Sequence, residues 1–82
     1  MELVDVIEVR HVQNYTVWLK FENGAAGEVD LSASLKGSMF EPLHDIEFFK
    51  QVRVDPELGT IVWPNGADIA PETLYARIHV PV

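Results

Sequence analysis

The architecture of this chain is indicated by residues 15–31, which read YTVWLKFENGAAGEVDL. From Tyr15 to Phe21 every second residue is large and apolar, and this period of two places their side chains on one face of a β-strand. The intervening positions, among them Trp18 and Glu22, then point to the opposite face. We therefore predict an amphipathic strand that packs its apolar face on the core and turns Trp18 outward.

The strand is followed by Asn23-Gly24, a pair that is typical of β-hairpin turns. A two-residue loop at this pair would set Leu19 against Glu28 and so place an apolar side chain opposite a charged one. A three-residue loop with a bulge, whose glycine adopts the left-handed conformation, instead sets Val17 against Val29. We therefore predict the three-residue loop.

Further strands are predicted where runs rich in β-branched residues are bounded by turn signals, over residues 3–10, 52–54 and 61–63. The last two form a second hairpin, because the intervening residues 55–59 contain a proline and a glycine that favour a tight turn. The extended segment 80–82 is a candidate edge strand.

Short helical segments are predicted from residues that cap or open helices. We expect one after Asp30, one over residues 46–51 with Asp45 as its cap, and one over residues 71–77 that begins with its proline. No internal repeat is visible. The chain is therefore predicted to be a single α+β domain over residues 1–82, in which two or three short helices pack on a small antiparallel sheet of two hairpins and about five strands.

The same periodicities predict the hydrophobic core. Its expected members share an inward position on a strand or a helix: Val17, Leu19, Phe21, Val29, Phe48, Val52, Val54, Ile61 and Leu74.

Composition limits the classes of partner. The 82 residues hold 6 Lys and Arg against 13 Asp and Glu, a net charge of −7. This charge disfavours nucleic-acid binding by the isolated domain, because phosphate capture needs clustered basic side chains. A basic protein is the better electrostatic match. The chain has no cysteine, no signal-peptide pattern and no apolar run long enough to span a membrane, so we expect a cytoplasmic domain.

The most constrained stretch is Gly59-Thr60-Ile61-Val62-Trp63-Pro64-Asn65-Gly66-Ala67-Asp68-Ile69-Ala70-Pro71. Together with the Asn23-Gly24 turn and the Phe40-Glu41-Pro42-Leu43 step, it resembles the bacterial family called domain of unknown function 2442. The resemblance runs in order from Tyr15 to Tyr75. It implies a small α+β fold, and members are often encoded beside another short protein in arrangements that look like toxin–antitoxin pairs.

Five residues make up the candidate interaction surface: Trp18, Trp63, Asn65, Asp68 and Tyr75. We interpret Asp68 as a structural cap of the following helix rather than a general base, because no second acid, histidine or nucleophile lies near it in sequence. Trp18 is either an exposed interface anchor or a residue covered by the helices. Trp63 and Tyr75 are more typical of core pillars than of ligand-stacking platforms.

No residues are predicted to be catalytic or to bind a metal or cofactor. His11, His44 and His79 lack the spacing of a metal site, and the serines lack a nucleophile-elbow setting.

The leading hypothesis is a non-enzymatic interaction module that binds a protein partner or itself, as the antitoxin-like or accessory partner of a small neighbouring-gene protein. An oligomeric DNA-contacting regulator or antitoxin that uses the scattered Lys20, Lys36, Lys50 and Arg53 is the alternative. An enzyme with a pocket near Asp68 is the least favoured.

Overall fold

The fold contains both predicted hairpins, each within its own antiparallel sheet. The computed structural model describes residues 4–78, in which strand order is β1-β2-β3 in one antiparallel sheet and β4-β5 in a second. The strands are β1 (Val6–Gln13), β2 (Thr16–Phe21), β3 (Ala26–Asp30), β4 (Arg53–Asp55) and β5 (Thr60–Val62). The helices are α1 (Ile46–Phe49) and α2 (Pro71–Ile78), with 3₁₀ turns at Ser32–Ser34 and Glu41–His44.

The predicted α+β class is therefore confirmed. Within residues 4–78 the five strands are divided between two sheets, where a single sheet was expected. The predicted segment 80–82, the start of the first predicted strand at Leu3, and His79 lie outside the described residues.

The β2–β3 hairpin has the predicted three-residue loop. Val17 pairs with Val29, and the Phe21 amide donates to the Ala25 carbonyl at 2.8 Å. Gly24 has a φ of +91°, the left-handed conformation that the loop requires. The register expected from matching apolar side chains is thus the register that forms.

Strand β1 is displaced along the chain from its predicted position, residues 3–10. It runs to Gln13, which pairs with Thr16 across a turn where Asn14 takes a φ of +45°. Asparagine tolerates this left-handed conformation, so Asn14 was a turn signal that the prediction missed. Pairing with β2 sets the end of β1, which the composition of β1 alone does not reveal.

The two sheets meet where the second hairpin reaches the start of β1. Val54 pairs with Ile61, and residues 56–59 form the predicted turn. The Asp55 carboxylate stabilises this turn by accepting from the Glu57 amide at 2.9 Å. The Gly59 carbonyl at the end of the turn accepts from the Val6 amide at 2.9 Å, which ties the second hairpin to β1.

The helical caps are partly as predicted. The Asp45 carboxylate accepts from the Glu47 amide at 3.0 Å and caps α1. The Asp30 carboxylate accepts from the Ser32 amide at 2.9 Å, but Leu31 occupies the N-cap position of that 3₁₀ turn. The Ser32 amide is also the main reason that the pKa of Asp30 is lowered from its ordinary value. Stabilisation by this bond is therefore present above the ordinary aspartate pKa and is lost as the pH falls through the folded-state value.

The core differs from the prediction at three positions. Phe48, Val52 and Val54 are only partly buried and pack against the core from its border. Phe49 is the fully buried aromatic residue of α1. Helix α1 has only four residues, and it turns Phe49 toward the Tyr15 and Trp63 rings, with centroids 5.3 and 5.6 Å away. The other six predicted core residues are buried: Val17, Leu19, Phe21, Val29, Ile61 and Leu74.

Two loops have the same structure and nearly the same sequence, a repeat that the sequence analysis missed. They are Phe21-Glu22-Asn23-Gly24-Ala25 and Trp63-Pro64-Asn65-Gly66-Ala67. In both, the first amide donates to the last carbonyl, at 2.8 and 2.9 Å, and the glycine has a φ of +91° or +90°. In both, the asparagine side-chain carbonyl accepts from the final alanine amide, at 3.0 and 3.2 Å. We call this pair the twin Asn-Gly loops.

Candidate interaction surface

The outward face of the β1–β2–β3 sheet carries Trp18 at its centre. Trp18 lies on the middle strand, paired with Arg10 on one side and Glu28 on the other. The Arg10 guanidinium lies over the indole, with its central carbon 4.5 Å from the ring centroid. This distance is within the range of a cation–π interaction. We call Arg10, Trp18 and Glu28 the sheet-face triplet.

Trp18 is half-buried, and the described part of the chain covers it with Arg10 rather than with a helix. Helix α2 packs against the opposite face of β3. It comes close to the backbone at Gly27, where a Cβ atom would lie 3.3 Å from the Ile78 Cβ. Glu28, the next residue of β3, is exposed. Trp18 is thus on the outward face of β2, half-buried rather than fully exposed.

Charges of both signs surround the sheet-face triplet. Glu8 lies 3.6 Å from the Arg10 Nε and opposite Lys20 in the strand pairing. Glu22, which the alternation placed on this face, lies instead in the first of the twin Asn-Gly loops. The strand ends at Phe21, since the loop begins there, so the alternation does not extend to residue 22.

Trp63 is a core residue and not part of a surface. It is 1% exposed, and its indole Nε1 donates to the Phe49 carbonyl at 2.9 Å. Its ring also meets Phe40 edge-on, with centroids 6.5 Å apart. The core-pillar interpretation of Trp63 is confirmed, and its inclusion in the candidate surface was wrong because the indole is packed on all sides.

Tyr75 and Asn65 hold the twin Asn-Gly loops in place. The Tyr75 ring packs edge-on against Phe21 at 5.1 Å, and its hydroxyl accepts from the Asn23 side-chain amide at 3.1 Å. The Asn65 side-chain amide donates to the Met39 carbonyl at 2.8 Å. Each loop asparagine thus closes its own loop with the carbonyl oxygen and fastens the loop to a neighbouring segment with the amide nitrogen.

The predicted capping role of Asp68 was wrong. Its side chain is exposed and accepts no hydrogen bond within residues 4–78. Its backbone forms an isolated antiparallel bridge to Val62 beyond the second loop. The first turn of α2 is closed by the Ala70 carbonyl, which accepts from the Thr73 amide at 3.1 Å.

Replacement of Asp68 by alanine should therefore change the free energy of unfolding by no more than about 0.5 kcal/mol, the range of surface positions without a specific contact. Urea denaturation of Asp68→Ala and the wild type would measure this difference. Asp45→Ala is the matched control and should cost about 1 kcal/mol, because the Asp45 carboxylate caps a helix and alanine cannot. A loss of about 1 kcal/mol or more at position 68 would restore the structural role.

One groove, lined by Gly37, Ser38, Glu41 and His44, has a volume of about 780 Å³. The His44 Nε2 donates to the Leu35 carbonyl at 2.7 Å, and the Ser38 hydroxyl makes no hydrogen bond within the described chain. A nucleophile activated by a neighbouring base would require such a bond. Asp68 lines neither this groove nor a second one of about 560 Å³.

Between residues 4 and 78, no three acidic, histidine or cysteine side chains converge as a metal site would require. The helices in this part of the chain are too short and too polar to cross a bilayer.

The sequence-predicted residues do not form one continuous site. Trp18 belongs to the sheet-face triplet, Asn65 and Tyr75 belong to separate loop attachments, and Trp63 is in the core. Sequence reasoning missed Arg10 and Glu28 as the neighbours of Trp18. The predicted three-residue loop, which aligns β2 with β3, already implied that residues 18 and 28 are opposite each other.

Comparisons with known proteins give a family and no relative with an assigned role. No curated protein matches the chain, and no solved structure matches it either. One family model matches residues 6–80, that of the protein of unknown function (DUF2442), and it covers all the strands and helices described above as well as the Trp63-Pro64-Asn65-Gly66 loop. Because the match extends over most of the chain, the protein belongs to the DUF2442 family.

Proposed function

We propose that this domain is a non-enzymatic protein-binding module of the cytoplasm that acts as the antitoxin-like or accessory partner of a small basic protein. The observation that carries the proposal is the sheet-face triplet, in which the Arg10 guanidinium stacks on Trp18 at 4.5 Å on the outward face of the central strand.

Tryptophan and arginine are the residue types that most often dominate the binding energy of protein interfaces. The strand pairing fixes the backbone beneath Trp18 on both sides, and the cation–π contact restrains Arg10 before any partner arrives. Less side-chain freedom is then lost on binding, which favours affinity. The polar side chains around the pair, such as Glu8 and Glu28, resemble the rim of a protein interface.

Electrostatics indicate the partner. The net charge of −7 accelerates association with basic proteins and repels acidic ones. Of the basic side chains proposed for DNA contact, Lys50 lies 3.5 Å from Glu47 in an ion pair, while Lys20 faces Glu8 across the strands. This arrangement favours a protein partner over the alternative of a DNA-contacting regulator.

A photo-crosslinking residue in place of Trp18 tests the proposal. Trp18→benzoylphenylalanine, expressed in the native cell and irradiated, should give an adduct with one small basic protein. The same substitution at Glu72, which is exposed on α2, is the matched control and should not give that adduct. An adduct from position 72 with none from position 18 would overturn the choice of surface.

Two other results would replace the proposed partner. An adduct between two copies of the chain would make the sheet face a homo-oligomer interface. Sequence-specific retardation of native-promoter DNA by sub-micromolar protein near physiological salt would favour the regulator.

A further inference from the structure

A second surface lies at the junction of the two sheets, away from the sheet-face triplet. The Gly59 carbonyl and the Val6 amide form the hydrogen bond that joins the sheets there. Ile7 follows Val6, and Leu58 precedes Gly59. Their side chains are 52% and 54% exposed, the highest values among the large apolar residues that remain exposed between residues 4 and 78.

A cleft of about 270 Å³ opens at this junction, and we call it the seam cleft. Apolar side chains provide most of its lining: Val6, Ile7, Val54 and Pro56. The rest of the lining is Asp5, Glu22 and Gly59, so the lining contains two carboxylates and no basic residue. The seam cleft therefore combines an apolar floor with negative charge.

The two carboxylates are available to a ligand. Asp5 and Glu22 are exposed, and neither side chain makes a hydrogen bond or an ion pair within the described chain. The Asp5 carbonyl accepts from the Glu22 amide at 2.9 Å, which keeps the two residues adjacent. The Asp5 carboxylate lies against Gly59, since a Cβ there would come within 2.4 Å of its Oδ1.

We infer that the seam cleft binds a segment of a partner protein in which a lysine or arginine stands beside a large apolar side chain. The apolar side chain of the partner and the methylene stem of its basic residue cover Ile7 and Pro56. The cationic head of the basic residue reaches Asp5 and Glu22. Removing exposed Ile7 and Pro56 surface from water favours this contact.

Charge complementarity selects this occupant. The seam cleft repels phosphates and anionic lipid surfaces. A second copy of the chain placed symmetrically on the seam cleft would set Asp5 and Glu22 against the same carboxylates, a juxtaposition that costs free energy.

The test is an NMR titration of the isotope-labelled domain with three blocked hexapeptides. These are Lys-Leu-Lys-Leu-Lys-Leu, Lys-Ser-Lys-Ser-Lys-Ser and Glu-Leu-Glu-Leu-Glu-Leu. The lysine-leucine peptide should shift the amide signals of residues 5–8, 22 and 56–59. The lysine-serine peptide should bind at least fivefold more weakly, and the glutamate-leucine peptide should leave these signals unchanged. Shifts confined to other residues would overturn the inference.

Matched variants separate the seam cleft from general charge attraction. Asp5→Asn with Glu22→Gln should weaken binding of the lysine-leucine peptide at least tenfold. Glu47→Gln with Glu72→Gln removes the same charge elsewhere and should change it less than twofold. Equal losses in the two double variants would refute the seam cleft.

Trp18→Ala should leave the affinity for this peptide unchanged, so failure of the sheet-face proposal and failure of this one are distinguishable. A loss of binding in Trp18→Ala comparable to that of the seam double variant would also refute the seam cleft. The amide spectrum of each free variant shows whether it remains folded.

Discussion

Phe49→Ala should lower the free energy of unfolding by about 3 to 5 kcal/mol, the usual cost of deleting a buried phenylalanine. Phe49 is fully buried and in ring contact with Tyr15 and Trp63, so the truncation leaves a cavity between both sheets and α1. A domain of 82 residues is expected to have a total stability near the lower end of 5 to 15 kcal/mol, so more than half of it would be lost. Urea denaturation followed by circular dichroism measures the change.

Phe48→Ala is the matched control, since it removes the same atoms from the neighbouring position of the same helix. Phe48 is only partly buried, so its truncation should cost about 1 to 2 kcal/mol. Equal losses at the two positions would contradict the assignment of Phe49 as the buried aromatic residue.

Trp63→Phe should cost about 2 to 4 kcal/mol although one aromatic ring replaces another. The indole Nε1 donates to the Phe49 carbonyl at 2.9 Å in the buried core, and phenylalanine leaves that carbonyl with only the Val52 amide, which donates to it at 3.2 Å. The smaller ring also leaves a gap beside Phe40 and Phe49. The loss of the buried hydrogen bond therefore adds to the loss of packing.

Denaturation followed by tryptophan fluorescence measures this change in the free energy of unfolding, and Trp18→Phe is the control. Trp63 should dominate the blue-shifted part of the native emission, because it is 1% exposed. Trp18→Phe removes the indole of the sheet-face triplet and should cost less than about 1 kcal/mol, since that indole is half-buried and its main described ring contact is Arg10. A larger loss for Trp18→Phe than for Trp63→Phe would reverse the roles of the two residues.

These stability differences bear on the functional proposals. Substitutions at Trp18, Asp5 and Glu22 affect exposed or half-buried side chains, so a loss of binding in those variants reports on a surface. Substitutions at Trp63 would disturb every surface at once, because the residue packs between Phe40 and Phe49 in the core. Trp63 variants are thus unsuitable as tests of binding.

The local features of the fold follow from patterns in the sequence. The alternation from Tyr15 to Phe21 fixed which side of β2 is buried, since a strand has a side-chain period of two. Matching Val17 to Val29 then fixed the length of the β2–β3 hairpin loop, because one residue more or less would turn the apolar side chains of one strand to the opposite face of the sheet. Asp45 marked the start of α1 for a similarly local reason, as its carboxylate reaches an amide two residues away.

Other features depend on residues that are distant in sequence and are brought together by tertiary packing. Phe48 and Phe49 are equally apolar, and packing against Tyr15 and Trp63 selected Phe49 for the core. Asp68 precedes a helix as a capping residue would, but its backbone bridges to Val62 and its carboxylate accepts no hydrogen bond within residues 4–78. Arg10 meets Trp18, and the Val6 amide reaches the Gly59 carbonyl at the seam, because separate parts of the chain meet there. Local propensity acts over a few residues, whereas these contacts join residues 6 to 53 positions apart, so the sequence pattern carried no direct signal for them.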